Sequence, residues 1–109
     1  MKTKMVVLAG LLAAAVPAAF AADAKTNWED HCARCHGATG KADSKMGQKL
    51  KLRDYSDPKV QAAFTDEQLL EATMKGVIVD GKEKMKGYAD KLSADEGKEL
   101  VKLIRSFKS

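Results

Sequence analysis

Cys32-Ala33-Arg34-Cys35-His36 is the stretch from which the rest of the chain is read. Two thiols one helical turn apart reach the two vinyl groups on one edge of a porphyrin and form thioethers. The residue that follows places an imidazole beneath the iron, and C-x-x-C-H is the attachment sequence of a c-type haem. Neutral imidazole is a good iron ligand, and covalent tethering keeps it at high local concentration. A structural zinc would require two further Cys or His ligands, and only His31 remains. A thioredoxin-like pair would sit in a βαβ pattern, and none is visible. The expectation is one covalent haem c with its iron, anchored at Cys32 and Cys35 and ligated on its proximal side by His36.

The N-terminus supports that chemistry. Lys2 and Lys4 precede an apolar run from Met5 to Val16, Pro17 interrupts it, and Ala19-Phe20-Ala21 offers a cleavage site. The run is shorter than the ~20 residues that span a bilayer. Residues 1–21 therefore read as a secretory signal peptide and residues 22–109 as one mono-haem domain, periplasmic, or lumenal in a photosynthetic cell, with no stable membrane insertion. Loss of Lys2 and Lys4 reduces the formal charge from +4 to +2. With no dense basic stripe interleaved with aromatics, nucleic acid is not an expected partner. A domain this small buries limited apolar area, and a covalently held haem would supply the staple it needs.

Beyond the leader the periodicity is helical. Thr26-x-x-Glu29 predicts a capping box opening a helix through Cys35, with Trp28, His31, Cys32 and Cys35 on one face. Residues 37–64 read as largely irregular. Thr65-x-x-Gln68 opens a second helix with Leu69, Leu70, Thr73 and Met74 inward and Gly76 as its C-cap. Ser93-x-x-Glu96 opens the last, with Leu100, Leu103, Ile104 and Phe107 as its apolar stripe and Lys102, Arg105 and Lys108 favourably placed near its C-terminus. The reading is all-α, with the terminal helices crossing and Trp28 in the core between them.

These features together resemble the class I cytochromes c, the small bacterial members above all. The likeness runs from Cys32-x-x-Cys35-His36-Gly37, through Asp54-Tyr55-Ser56-Asp57-Pro58 to Gly76, to the stretch from Lys84 to Ser93 and the ending Leu100 to Phe107. The resemblance implies three or more helices wrapped around one covalent haem, with a distal-ligand loop leading into the last helix. Many relatives carry Pro directly after the distal Met, where this chain has Lys86. Leu103 stands where many carry an aromatic.

Three methionines follow the leader. Met74 lies one turn after Leu70 on an apolar helix face, which suits core filling. Met46 lies close behind His36, in a segment still rounding the proximal edge. Met85 stands among Lys82, Glu83, Lys84, Lys86 and Gly87, where packing gives no reason for a thioether. It has enough chain behind it to reach the opposite haem face, and the family's distal position falls on it. Met85 is the expected distal iron ligand, with Met74 and Met46 as alternatives. His31 lies only ~7.5 Å from His36 along one helix and cannot cross to the other face.

His/Met ligation fills the coordination shell and suits iron that shuttles between two oxidation states. The expected function is a soluble one-electron carrier, a monomer and not an enzyme, working between a reductase and an oxidase. Lys82, Lys84, Lys86 and Lys91 surround Met85 and either steer an acidic partner or are ordinary solvated side chains. Lys49 and Arg53 are candidates to meet a haem propionate. The alternatives are a peroxidase-like or gas-binding haem protein with a labile Met85, and a haem subunit of a larger respiratory complex.

Overall fold

The computed structural model describes residues 23–109; the expected leader lies outside them. The chain runs α1 (Ala24–His31), α2 (Ala33–His36), α3 (Lys45–Leu50), α4 (Pro58–Ala62), α5 (Asp66–Lys75), β1 (Val77–Val79), β2 (Lys82–Met85) and α6 (Ala94–Ser106). The class is the expected one, mainly helical, and the terminal helices α1 and α6 pack on each other.

The first helix opens earlier than its sequence suggests. Asp23 is the N-cap, and its carboxylate accepts from the Thr26 amide at 2.8 Å, which leaves Thr26 inside the helix. Asp ranks above Thr as a cap, and here it lies three residues closer to the N-terminus. The helix is also not continuous through Cys35. Cys32, at φ −118° and ψ −40°, ends α1 and caps α2, while the Cys32 carbonyl still accepts from His36 N at 2.9 Å. Both capping boxes read from the sequence at Thr65/Gln68 and Ser93/Glu96 are present, and Gly76 closes α5.

The segment 37–64 is more regular than expected. Ser44 caps α3 through Gly47 N, and Asp57 caps α4 through Lys59 N with Pro58 in the first turn. Helices of five or six residues hold too few turns to register as periodicity. The β-hairpin is one short element that the helical reading does not include. Asp80 and Gly81, both at positive φ, turn β1 into β2, and Val77 pairs with Met85, Ile78 with Glu83 and Val79 with Lys82. Asp-Gly is the dipeptide that a two-residue hairpin turn favours.

The core forms where α1, α5 and α6 meet, from Trp28, Cys32, Leu69, Leu92, Leu100, Val101 and Ile104. A Cβ on Gly97 of α6 would stand 2.7 Å from Met74 Sδ and 3.0 Å from Leu70 Cδ1. That glycine lets α5 approach α6 closely and makes Met74 a packing residue. Arg105 then ties α6 to the α4–α5 connection. Its guanidinium donates to the carbonyls of Gln61 and Phe64, each at 2.6 Å, to Gln61 Oε1 at 3.0 Å and to Asp66 Oδ1 at 2.7 Å.

Arg105→Leu should lower the unfolding free energy of the holoprotein by about 3 kcal/mol, because two carbonyls lose their partner. Asp66→Asn should cost less than about 1 kcal/mol, since that carboxylate is 67% exposed. Denaturant titration separates the two.

The caps also carry a pH dependence. The Ser93 amide, then the Asn27 carboxamide, hold the Glu96 carboxyl below its ordinary value of 4.5. A depressed folded-state value gives stability that is complete above the unfolded pKa and lost as pH falls through the folded one. Glu96→Gln should flatten the decline of melting temperature in that acid range relative to wild type.

Candidate haem site

His36 enters the site from α2 and Met85 from the end of β2. Both wall a cavity of about 730 Å³ together with Cys35, Leu52, Arg53, Tyr55, Phe64 and Ala72. A narrower recess of about 30 Å³ shares the His36, Tyr55, Leu69, Ala72 and Met85 walls and adds Cys32. The four residues expected to anchor or ligate a haem are thus brought to one region. Met46 and Met74 wall neither space, and Met74 is engaged at Gly97.

The local chemistry follows from burial. Desolvation, and secondarily the neighbouring Cys35, pushes the Cys32 thiol up to about 11, so the free sulfur is a neutral thiol. Desolvation lowers the His36 pKa and favours neutral imidazole, the form that ligates metal. The His36 Nδ1 is buried without a hydrogen-bond partner. Tyr55, whose ring centroid lies 5.6 Å from that of His36, has its phenol pKa raised by burial. Among the described residues no group of three or more His, Cys, Asp or Glu could hold a metal ion. A cavity of this size lies within the range of cofactor sites. Its paired thiols, unpartnered imidazole and thioether fit a haem.

Met85 is held in place by the backbone. The Tyr88 amide donates to the Thr73 carbonyl at 3.0 Å and the Ala89 amide to the Met74 carbonyl at 3.1 Å. Two glycines permit that approach. A Cβ on Gly76, at φ +83°, would lie 2.5 Å from the Met85 carbonyl oxygen, and one on Gly87 would lie 2.7 Å from the Met74 carbonyl oxygen. The sequence marks Gly76 only as a helix cap and gives Gly87 no such role.

The other expected residues divide. Arg53 walls the cavity with its guanidinium carbon 5.1 Å from the Phe64 ring centroid, whereas Lys49 does not wall it. Lys84 and Lys86 wall the cavity, and Lys82 and Lys91 are exposed beyond it. Lys86 Nζ lies 5.6 Å from the Tyr88 ring centroid, and His31, half-buried, packs 5.4 Å from the same ring. His31 walls neither the cavity nor the recess. Trp28 is buried as expected, in contact with Phe107.

Gly87→Ala should destabilise the holoprotein by about 2 kcal/mol, the cost of forcing a methyl into closely packed backbone. Gly81→Asn, at a turn with open space around it, should change stability by no more than about 0.5 kcal/mol. Thermal melts of the two variants check the contrast.

Residues 19–104 match the family model described as cytochrome C oxidase, cbb3-type, subunit III. Among solved structures the chain is similar to "KustC0563 c-type cytochrome", with 31% identity, a TM-score of 0.70 and coverage of 81% of this chain and 100% of that one. It is likewise similar to a point mutant of Kustc0563, with 31% identity, a TM-score of 0.67 and coverage of 80% of this chain and 100% of that one. No match was found among curated proteins.

Proposed function

This chain belongs to the small monohaem class I cytochromes c, haem-based electron carriers with covalently bound haem c, and on that premise we propose a diffusible periplasmic one-electron carrier with His/Met ligation. The observation that carries the reading is the placement of His36 and Met85 on the walls of one cavity, with Met74 and Met46 elsewhere. When bound, the haem supplies the reversible one-electron change of its iron. Cys32 and Cys35 would anchor it through thioethers, and His36 and Met85 would ligate its iron. Burial keeps His36 neutral and available to ligate. Leu69, Leu52 and Phe64 line the site with apolar surface, and the β-hairpin and the α5 terminus fix where the Met85 backbone runs. With both protein donors on the iron no position would remain for substrate, which favours carriage over catalysis.

Optical spectra of the holoprotein test this. The ferric form should show the weak far-red band of sulfur-to-iron ligation, and Met85→Ala should abolish it while covalent haem is retained. A high-spin native spectrum, rapid peroxide turnover or tight CO binding by the reduced protein would instead establish an open iron. Lys84 and Lys86, at the cavity, are placed to steer an acidic redox partner. The second-order rate with such a partner should then fall as ionic strength rises. A rate indifferent to salt removes these lysines from the encounter.

The description of the matched family model favours one second reading, a haem subunit of a terminal oxidase. Size-exclusion of the native protein with periplasmic and detergent-solubilised membrane extracts discriminates. Elution as a free small protein supports the carrier, and co-elution with an oxidase supports the subunit.

A further inference from the structure

We infer that two aromatic rings, Trp28 and Tyr55, set the plane of the His36 imidazole, and that Trp28 is a positioning residue for the iron ligand. The inference rests on the His/Met reading above. A metal-ligating histidine ordinarily donates its second ring N–H to a carboxylate, carbonyl or water, which fixes both the tautomer and the ring plane. Among the described residues no protein group accepts from the buried His36 Nδ1. The torsion that sets an imidazole plane has broad minima, so packing must select the orientation. Trp28 lies 5.8 Å from His36 between ring centroids at 40°, and Tyr55 lies 5.6 Å away at 32°.

Trp28 is itself held firmly enough to impose an orientation. It is 2% exposed, and the Phe107 ring meets it edge-on at 5.0 Å. Its indole N–H donates to the Gly37 carbonyl at 2.9 Å, a buried hydrogen bond to the residue directly after the ligand. That carbonyl also accepts from the Gly40 amide at 3.3 Å, so the indole ties the turn leaving α2 as well as the ring on it. One side chain thereby links the packing of the terminal helices to the plane of the His36 imidazole.

The test compares ferric low-spin EPR, reduction potential and melting temperature in holoproteins carrying Trp28→Phe, Trp28→Leu or Phe107→Leu. Trp28→Phe keeps a ring against His36 and removes the N–H, whereas Trp28→Leu removes both. Phe107→Leu loosens the opposite contact of Trp28 without touching His36. The expected result is a shift in g-anisotropy and potential that grows from Trp28→Phe to Trp28→Leu. Phe107→Leu should lower the melting temperature and leave g-values and potential at wild type. Equal shifts in Phe107→Leu and the Trp28 variants, or unshifted signals in every Trp28 variant that matures, would reduce Trp28 to a core residue and overturn the inference. If Trp28→Leu does not mature, Trp28→Phe against Phe107→Leu decides it. A wild-type ferric spectrum that is high-spin, or unchanged in His36→Ala, overturns the ligation reading and the inference with it. A low-spin wild type that loses its signal in His36→Ala, with every matured Trp28 variant unshifted, overturns the positioning role alone.

Discussion

Burial of Trp28 between the terminal helices is the contact on which the other features depend. Its ring takes up apolar surface from α6, so the chain ends are joined at the core. Its N–H could not be buried alone without a penalty of ~1–3 kcal/mol, and the Gly37 carbonyl removes that penalty. The acceptor is the residue after His36, so satisfying the indole also places the C-x-x-C-H segment against the core. The interruption of the helix at Cys32 belongs to the same arrangement: α1 presents Trp28 to α6, and α2 presents His36 to the cavity.

Two departures from the usual pattern of the family find compensation in this packing. Leu103 stands where relatives often have an aromatic, and it is only half-buried here. The aromatic contact with the first helix is made one turn later, by Phe107 against Trp28. The second departure, Lys86 in place of proline after Met85, removes a fixed φ from the loop. The loop is restrained from outside instead, by pairing of Met85 with Val77 and by the amides of Tyr88 and Ala89 on the carbonyls of Thr73 and Met74.

What is legible in the sequence follows from how local its cause is. C-x-x-C-H is read at once because one reaction needs that spacing, and the boxes at Thr65 and Ser93 because each closes within four residues. Asp23 is hidden as a cap because Thr26-x-x-Glu29 satisfies the same pattern one turn later. The hairpin escapes notice although Asp80-Gly81 announces its turn, because strands of three and four residues show no alternation. Arg105 reads as a charge near a helix end, yet most of its donors go to Gln61 and Phe64, more than forty residues away in sequence. No local pattern carries such pairings. Tyr55 and Gly87 share that difficulty, since each matters for a neighbour supplied by another element.

The site combines a rigid side with an adjustable one. His36 sits on a short helix whose flanking residues are hydrogen-bonded, and its ring is packed by aromatics. Met85 sits at the end of a two-stranded hairpin that is exposed over most of its length and has an irregular register beside Val77. An isolated hairpin is marginal in water, so its order derives from the docking of its ends at Gly76 and Gly87 against the α5 terminus. Under the proposed ligation, any loss of it begins on the Met85 side, since opening the hairpin exposes little of the core, whereas moving His36 requires displacing Trp28 from between α1 and α6.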